Sequence, residues 1–233
     1  LGLMRAESLD HAIDLQNATE FGLTGGIHSL DEHEVRHWLD RVEVGNAYIN
    51  RHITGAVVQR QPFGGWKRSS VGCGPKAGGP FYVEAFGTWA LEPGARPDGV
   101  DEFHQACHDH FGRHHDPSGL ACEHNTLRYR PLPWVDLYVA PDASPDAVDI
   151  AKLGALCSGT PGNLLDGPDD ADRARDRVRV VGTVDDDQLA RWYAAGVEVD
   201  LVQPVADAMV ELRRWVREQA VSETRHRHGR LLD

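Results

Sequence analysis

The chain is 233 residues long, 41% hydrophobic and 26% charged, with a formal net charge of -12 at pH 7. This composition is typical of a globular protein with one or two domains. The acidic excess argues against a nucleic-acid partner, because phosphate groups are bound by a basic surface. No apolar stretch reaches the length that spans a bilayer, so no transmembrane segment is expected.

The first residues, LGLMR, include no initiator methionine at position 1 and no signal-peptide pattern. Because the chain starts inside an apolar, strand-like stretch, we expect it to continue a longer polypeptide. The cysteines are scattered and do not form a dense disulfide framework: Cys73, Cys107, Cys122 and Cys157. Reduced thiols and a cytoplasmic location are therefore predicted.

The first third of the chain predicts two helices and two strands. Ser8 is suited to cap the first helix, and Ser29 with Glu32 has the spacing of a capping box for the second. The second helix has one apolar face, formed by Val35, Trp38, Leu39 and Val42. A long glycine-rich loop over 55–79 separates two predicted strands, 46–50 and 81–91.

From Trp134 onward, the pattern alternates strands with helices. Strands are predicted at 134–140, 177–183 and 197–202. Helices are predicted after Ser144-Pro145, from Asp185 to about Gly196, and over 205–221. This alternation indicates a parallel sheet of Rossmann-like shape. No G-x-G-x-x-G sequence follows any of these strands, so we expect the shape without phosphate binding.

Several short motifs between Ala18 and Trp89 resemble the end of the aldehyde dehydrogenase catalytic domain. They are NAT at 17–19, FGLTGG at 21–26, VGNAYIN at 44–50, QPFGGWK at 61–67 and SSVG at 69–72. Each motif alone is weak evidence, whereas their order and spacing together are specific.

Two further motifs, NRHITGAVV at 50–58 and KAGGP at 76–80, are similar to those of L-glutamate gamma-semialdehyde dehydrogenases, also called 1-pyrroline-5-carboxylate dehydrogenases. Later motifs, including DPSGL at 116–120 and RYRP at 128–131, resemble the C-terminal region of the large bifunctional proline-utilisation enzymes. In those enzymes a flavin-dependent proline dehydrogenase can precede the aldehyde dehydrogenase.

The resemblance implies an α/β fold in three consecutive parts. Residues 1–93 would be the C-terminal piece of an aldehyde dehydrogenase catalytic domain, ending in an oligomerisation-type strand. Residues 94–130 would be a polar, His-rich linker. Residues 131–233 would form a Rossmann-like α/β domain.

The resemblance assigns substrate binding to the loop of Thr54, Gly55 and Ala56. Small residues let backbone N–H groups approach a carboxylate closely, and two such donors make charge-assisted hydrogen bonds. Phe63 would form an apolar wall beside the aliphatic part of the substrate. The alternatives are that Gly55 only serves a turn and that Phe63 is ordinary core.

The resemblance places the nucleophile, the base and the NAD site in polypeptide upstream of Leu1. The family's nucleophilic cysteine stands in a Gly-Gln-x-Cys sequence, which does not occur here, and Cys73 is not expected to replace it. We therefore expect no catalytic residue in this chain and no activity from the chain alone. NAD is the implied cofactor of the whole enzyme, with FAD if a proline dehydrogenase domain precedes.

One cluster of histidines and cysteines invites a zinc interpretation: His104, Cys107, His108, His110, His114, His115, Cys122 and His124. Its spacing fits no paired zinc pattern, so we favour a solvated linker and predict no metal site.

The sequence alone is consistent with two functions. In the first, the chain is part of an NAD-dependent enzyme that oxidises L-glutamate gamma-semialdehyde to L-glutamate. In the second, it is a non-catalytic module that acts in assembly or covers an active site. An aldehyde dehydrogenase with another substrate is a lesser alternative. The expected partners are a small-molecule substrate, the upstream catalytic regions and further copies of the same chain.

Overall fold

The computed structural model describes residues 2–57, 60–70, 75–89, 98–227 and 230–231. The chain divides into two compact units. The first contains Leu1–Phe86, His114–Arg128 and Glu218–Asp233, and the second contains Gly87–Arg113 and Tyr129–Arg217. The structure thus divides the chain differently from the three consecutive parts expected from the sequence, because two later segments return to the first unit.

The fold is mixed α/β, as predicted. The α-helices are α1 (Leu9–Asn17), α2 (Glu32–Arg41), α3 (Val100–Ala106), α4 (Pro145–Ser158), α5 (Asp186–Ala194) and α6 (Ala208–Glu211). The strands are β1 (Phe21–Gly22), β2 (Thr24–Ile27), β3 (Asn46–Ile49), β4 (Trp66–Lys67), β5 (Glu123–Pro131), β6 (Asp136–Val139), β7 (Leu164–Asp166), β8 (Arg177–Val181), β9 (Glu198–Asp200), β10 (Val216–Thr224), β11 (His226–Arg227) and β12 (Arg230–Leu231). None of the helices in the described ranges is long and apolar enough to cross a membrane.

The first unit is built on a four-stranded sheet in the order β2-β3-β10-β5. Strand β3 runs parallel to both β2 and β10, so that Ala47 lies between Gly25 and Val221. Helices α1 and α2 contribute to the core of this unit, which contains Ile13, Trp38, Val42, Val44, Ala47, Ile49 and Val221. The predicted apolar face of α2 is confirmed, and so is strand β3.

The caps of the first two helices differ in how well the sequence predicts them. Ser8 caps α1 as predicted, by accepting a hydrogen bond from the backbone of His11. The cap of α2 is Asp31, whose carboxylate accepts from His33 N at 2.8 Å. The predicted capping box of Ser29 with Glu32 is therefore wrong, since the aspartate next to the helix provides the acceptor.

Residues 81–89 do not form the predicted strand. A 3-10 helix spans Val83–Phe86, and Tyr82 N donates to the carbonyl of Gly79 at 3.3 Å. A strand is stable only where its backbone pairs with another strand, and no strand in the described part of the chain pairs with this segment. The strand prediction is therefore wrong for the described residues, and residues 90–91 lie outside them.

The predicted helix over 205–221 is also wrong. Only Ala208–Glu211 is α-helical there, and Val216–Thr224 forms β10 in the middle of the first unit's sheet. Four successive side chains of this strand are buried: Gln219, Ala220, Val221 and Ser222. The helical spacing of the apolar residues is therefore overridden by pairing with strands that are distant in sequence.

The second unit contains a four-stranded parallel sheet in the order β7-β6-β8-β9. Strands β6, β8 and β9 and helices α4 and α5 confirm the predicted alternation. Ser144 caps α4 and Asp185 caps α5, each through its side-chain oxygen. The sequence does not predict β7, because this strand has three residues and only its central one, Leu165, is buried.

Residues 98–130 contain regular structure that the linker prediction did not include. They form α3, a π-helical turn over Cys107–Phe111 and most of β5. Phe103, Phe111 and Leu127 are buried. The prediction of a polar linker over 94–130 is therefore wrong for these residues, since their aromatic and aliphatic side chains belong to the cores of folded units.

Three charged side chains are buried together in the second unit. Arg179 donates to Asp200 at 2.8 Å and to Glu211 at 2.7 Å, and no member of the cluster is more than 3% exposed. The second carboxylate oxygen of Glu211 accepts from the indole N–H of Trp215 at 2.9 Å. Each buried charge is therefore opposed by another, which is the condition for burying charges in a protein.

Candidate functional site

The loop of Thr54, Gly55 and Ala56 follows β3 in the first unit. Thr54 and Gly55 are exposed and Ala56 is half-buried. Gly55 has a backbone φ of +79°, which side-chain-bearing residues rarely adopt, and a Cβ added there would meet no atom within 4 Å. Among the described residues, none accepts a hydrogen bond from the backbone N–H of Gly55 or Ala56. Two successive donors on this loop are thus available to an anion.

Tyr48 fixes the Gly55 side of this loop to the sheet. Its side chain is 1% exposed, and its hydroxyl donates to the carbonyl of Gly55 at 2.9 Å. Burial raises the pKa of Tyr48, although the nearby Arg51 guanidinium acts in the opposite direction. The hydroxyl therefore remains a protonated donor at neutral pH, and the carbonyl of Gly55 is held against β3.

Gln61 fixes the other end of the loop. Its side-chain oxygen accepts from Val57 N at 3.1 Å. Its amide nitrogen donates to Asn125 Oδ1 at 2.9 Å and to Ser222 Oγ at 2.7 Å, and all three polar side chains are buried. The loop is therefore tied to β5 and β10, whose residues lie far away in sequence.

Phe63 lies on the same long loop and is half-buried. Its backbone N–H donates to the carbonyl of Ala77 at 2.9 Å. On either side of it, Asn46 donates to the carbonyl of Pro62 at 3.0 Å and accepts from Gly64 N at 3.1 Å. The backbone around the predicted apolar wall is thus held at successive positions.

Lys76 is a buried cation next to this segment, with 5% of its side chain exposed. Its ammonium group donates to the carbonyl of Gly64 and lies 3.4 Å from Asn46 Oδ1. Its backbone N–H donates to Glu218 Oε2 at 2.7 Å. Burial lowers the pKa of Lys76 to about 7, while the Glu218 carboxylate acts in the opposite direction.

The low pKa of Lys76 predicts that stability increases between pH 7 and pH 10. In the unfolded chain this lysine has a pKa of about 10.4. Below pH 7 both states are protonated and the cost of burying the ammonium group is fully present. Between the two pKa values the unfolded chain binds the extra proton, so the free energy of unfolding rises by about 4 kcal/mol.

This pH dependence is checked by urea unfolding of the protein at a series of pH values. Lys76→Met is expected to remove the rise between pH 7 and pH 10, because methionine has no ammonium group to bury. Lys152→Met is the matched control, since Lys152 is exposed on α4. Parallel pH profiles for Lys76→Met and the unchanged protein would contradict the prediction.

The arrangement can hold a small molecule that has an anionic end and an aliphatic part, but its described residues include no cysteine. Cys73 lies outside the described residues. Burial raises the pKa of Cys107 to about 11 and also raises that of Cys157, so both thiols are protonated at neutral pH. The predicted site residues Thr54, Gly55, Ala56 and Phe63 therefore stay candidates for binding and not for covalent catalysis.

Four supporting residues were not predicted as site residues: Asn46, Tyr48, Gln61 and Lys76. Asn46 and Tyr48 belong to the VGNAYIN motif, and Gln61 begins the QPFGGWK motif. A polar residue inside an otherwise apolar motif indicates a buried side chain that needs a hydrogen-bond partner. This pattern could have identified the residues in these motifs. Their partners could not be predicted, because Gln61 contacts Ser222 across 161 positions.

Some of the histidines and cysteines that invited the zinc interpretation have other contacts. His110 lies 3.2 Å from the Tyr129 hydroxyl, and His124 lies 2.9 Å from Arg225. Over the ranges that the structure describes, no three His, Cys, Asp or Glu side chains form a group that could hold a metal ion.

Comparisons with known proteins agree with the motif assignment. The aldehyde dehydrogenase family model matches residues 1–89. Bifunctional protein PutA of Rhizobium meliloti is 48% identical over 89 residues, which are 38% of this chain and 7% of that protein. The 1-pyrroline-5-carboxylate dehydrogenase 2 of Halalkalibacterium halodurans is 44% identical over 79 residues, 34% of this chain and 15% of that protein.

A solved structure extends the similarity beyond the family match. Proline Utilization A (PutA) from Corynebacterium freiburgense has a TM-score of 0.82 and 43% sequence identity, covering 99% of this chain and 26% of that one. The chain thus spans about a quarter of this relative and a smaller share of the curated ones. Residues 1–89 therefore match the aldehyde dehydrogenase family model, within a chain that resembles part of proline utilization A over nearly its whole length.

Proposed function

We propose that this chain is part of an NAD-dependent dehydrogenase that oxidises L-glutamate gamma-semialdehyde to L-glutamate in proline catabolism. Its own contribution is the anchor for the carboxylate at the amino-acid end of the substrate. The observation that carries this proposal is the pair of available N–H donors at Gly55 and Ala56, on a loop fixed by Tyr48 and Gln61. The names of the relatives support the substrate class.

The physical role of the anchor loop follows from its charge and shape. A carboxylate that accepts from the N–H groups of Gly55 and Ala56 gains charge-assisted hydrogen bonds. Because neither residue has a bulky side chain, the carboxylate can come close to the backbone. The aliphatic part of the substrate would then pack on Phe63, and the aldehyde carbon would be directed to a cysteine elsewhere in the longer protein.

The remaining groups for the reaction would come from the rest of that longer protein. It would supply the thiolate nucleophile, the base and the NAD site. FAD would be a second cofactor if a proline dehydrogenase domain is present. We further propose a cytoplasmic homo-oligomer, and the exposed side chains of Val83 and Phe86 would support a subunit contact.

The proposal is tested by NADH formation with the longer protein. L-glutamate gamma-semialdehyde is compared with pentanal, an aldehyde of the same carbon number that lacks the amino and carboxylate groups. We expect kcat/KM to be about 100-fold higher for the semialdehyde, because only that substrate can use the anchor loop. Equal kcat/KM values for the two aldehydes would refute the carboxylate anchor.

The same assay separates the enzyme from a non-catalytic assembly or covering module. The chain alone is expected to form no NADH, whereas the longer protein forms NADH with the semialdehyde. A longer protein that forms no NADH with any aldehyde would favour the module. In that case the exposed Val83 and Phe86 would be the first candidates for its contact surface.

A further inference from the structure

The segment Pro62-Phe63-Gly64 is held by hydrogen bonds at four of its backbone groups. The carbonyl of Pro62, the N–H of Phe63 and the N–H of Gly64 each have a partner within 3.1 Å. The carbonyl of Gly64 accepts from the ammonium group of Lys76. The partner residues are Asn46 on β3, Lys76, and Ala77, which forms a β-bridge with Phe63.

We propose that Asn46 and Lys76 are positioning residues that fix Phe63 as the apolar wall of the substrate site. This inference rests on the proposed function, since it concerns the place of Phe63 in that site. Asn46 is 1% exposed and Lys76 is 5% exposed, so neither contacts solvent freely. Both act on the substrate only through the backbone on either side of Phe63.

Burial makes this arrangement stiff. Moving Phe63 would separate Asn46 from Pro62 or Gly64 and leave buried polar groups without partners, which costs free energy. The space beneath the segment is also full. A Cβ on Gly45 would lie 2.0 Å from the carbonyl oxygen of Gly64 and 2.6 Å from Lys76 Nζ, so only glycine fits there.

Lys76 is also anchored on its far side. Its backbone N–H donates to Glu218 Oε2 at 2.7 Å, and the indole N–H of Trp66 donates to the carbonyl of Glu218 at 2.8 Å. Glu218 belongs to β10, one of the two inner strands of the first unit's sheet. The backbone around Phe63 is thus linked to β3 through Asn46 and to β10 through Lys76.

A positioning role has a distinct kinetic signature. Phe63 contacts only the aliphatic part of the substrate, so its displacement weakens binding and leaves the aldehyde chemistry unchanged. In the longer protein, Lys76→Met is expected to raise KM for L-glutamate gamma-semialdehyde and the Kd for L-glutamate about tenfold. The kcat and the KM for NAD are expected to change by less than about twofold.

The decisive experiment is a double-mutant cycle with Phe63→Ala, measured as the Kd for L-glutamate by calorimetry on the longer protein. If Lys76 acts through Phe63, Lys76→Met weakens binding no further once the aromatic ring is removed. A merely structural lysine would instead give additive effects, and that result would overturn the inference. Lys152→Met is the matched control and is expected to leave the Kd unchanged.

A second variant keeps the test informative if Lys76→Met does not fold. Asn46→Asp keeps the acceptor for Gly64 N but loses the donor to the Pro62 carbonyl. It is therefore expected to raise the same Kd for L-glutamate and to be non-additive with Phe63→Ala.

Different results would contradict the proposed function and the positioning inference. If Phe63→Ala itself does not weaken glutamate binding, the proposed substrate wall is wrong. If Phe63→Ala does so but neither positioning variant does, only this inference is wrong.

Discussion

A Gly55→Val substitution in the longer protein is expected to lower kcat/KM for L-glutamate gamma-semialdehyde about 100-fold. Valine is strained at a φ of +79°, by about 1–2 kcal/mol, so the loop would change its backbone conformation. The N–H groups of Gly55 and Ala56 would then leave the positions in which the proposed anchor binds a carboxylate. Because a hydrogen bond to a charged group contributes about 1.5–3 kcal/mol, their loss accounts for a change of this size.

Gly196→Val is the matched control for the Gly55 variant. Gly196 has a φ of +78°, is exposed and has no atom within 4 Å of an added Cβ. Both substitutions therefore impose the same backbone strain in open space, but Gly196 belongs to the second unit and the anchor loop to the first. We expect similar losses of melting temperature and a loss of kcat/KM only for Gly55→Val. Equal kinetics for the two variants would refute the anchor.

Arg179→Met is expected to destabilise the protein by about 3–5 kcal/mol. The substitution leaves Asp200 and Glu211 buried beside each other without the cation that both contact. Methionine fills much of the volume, so the cost comes from two buried carboxylates that lose their shared cation and not from a cavity, although Arg214 still lies 3.8 Å from Asp200. The measurement is urea unfolding of the protein, with tryptophan fluorescence as the readout.

Arg173→Met is the control for the arginine variant. Arg173 also pairs with an aspartate, at 2.7 Å, but its side chain is 63% exposed. Exposed ion pairs contribute little, so this variant is expected to change the free energy of unfolding by less than about 0.5 kcal/mol. Similar unfolding midpoints for the two variants would show that the buried cluster does not stabilise the fold as described.

The elements that the sequence predicts correctly are those with a local signal. Ser8 and Ser144 lie next to the helices that they cap, and the apolar face of α2 is complete within one helix. The failures occur where distant segments decide the structure. Val216–Thr224 has helical spacing of apolar residues but pairs with β3, about 170 positions earlier, and pairing is not visible in a local pattern.

In the candidate site, too, the residues within continuous motifs could be predicted, whereas contacts between distant segments could not. Motif resemblance leads to Thr54, Gly55, Ala56 and Phe63, because these residues stand in continuous motifs. It does not lead to the residues that hold them, since a motif does not state which side chains meet in three dimensions. The contacts of Lys76 with Gly64 and with Glu218 cross 12 and 142 positions, so they require the folded structure.

The position of bound L-glutamate in a crystal structure of the longer protein tests the carboxylate anchor most directly. We expect one carboxylate of the ligand to lie about 3 Å from the backbone nitrogens of Gly55 and Ala56, with its methylene groups against the ring of Phe63. A ligand carboxylate bound away from these two nitrogens, with both still exposed to solvent, would contradict it.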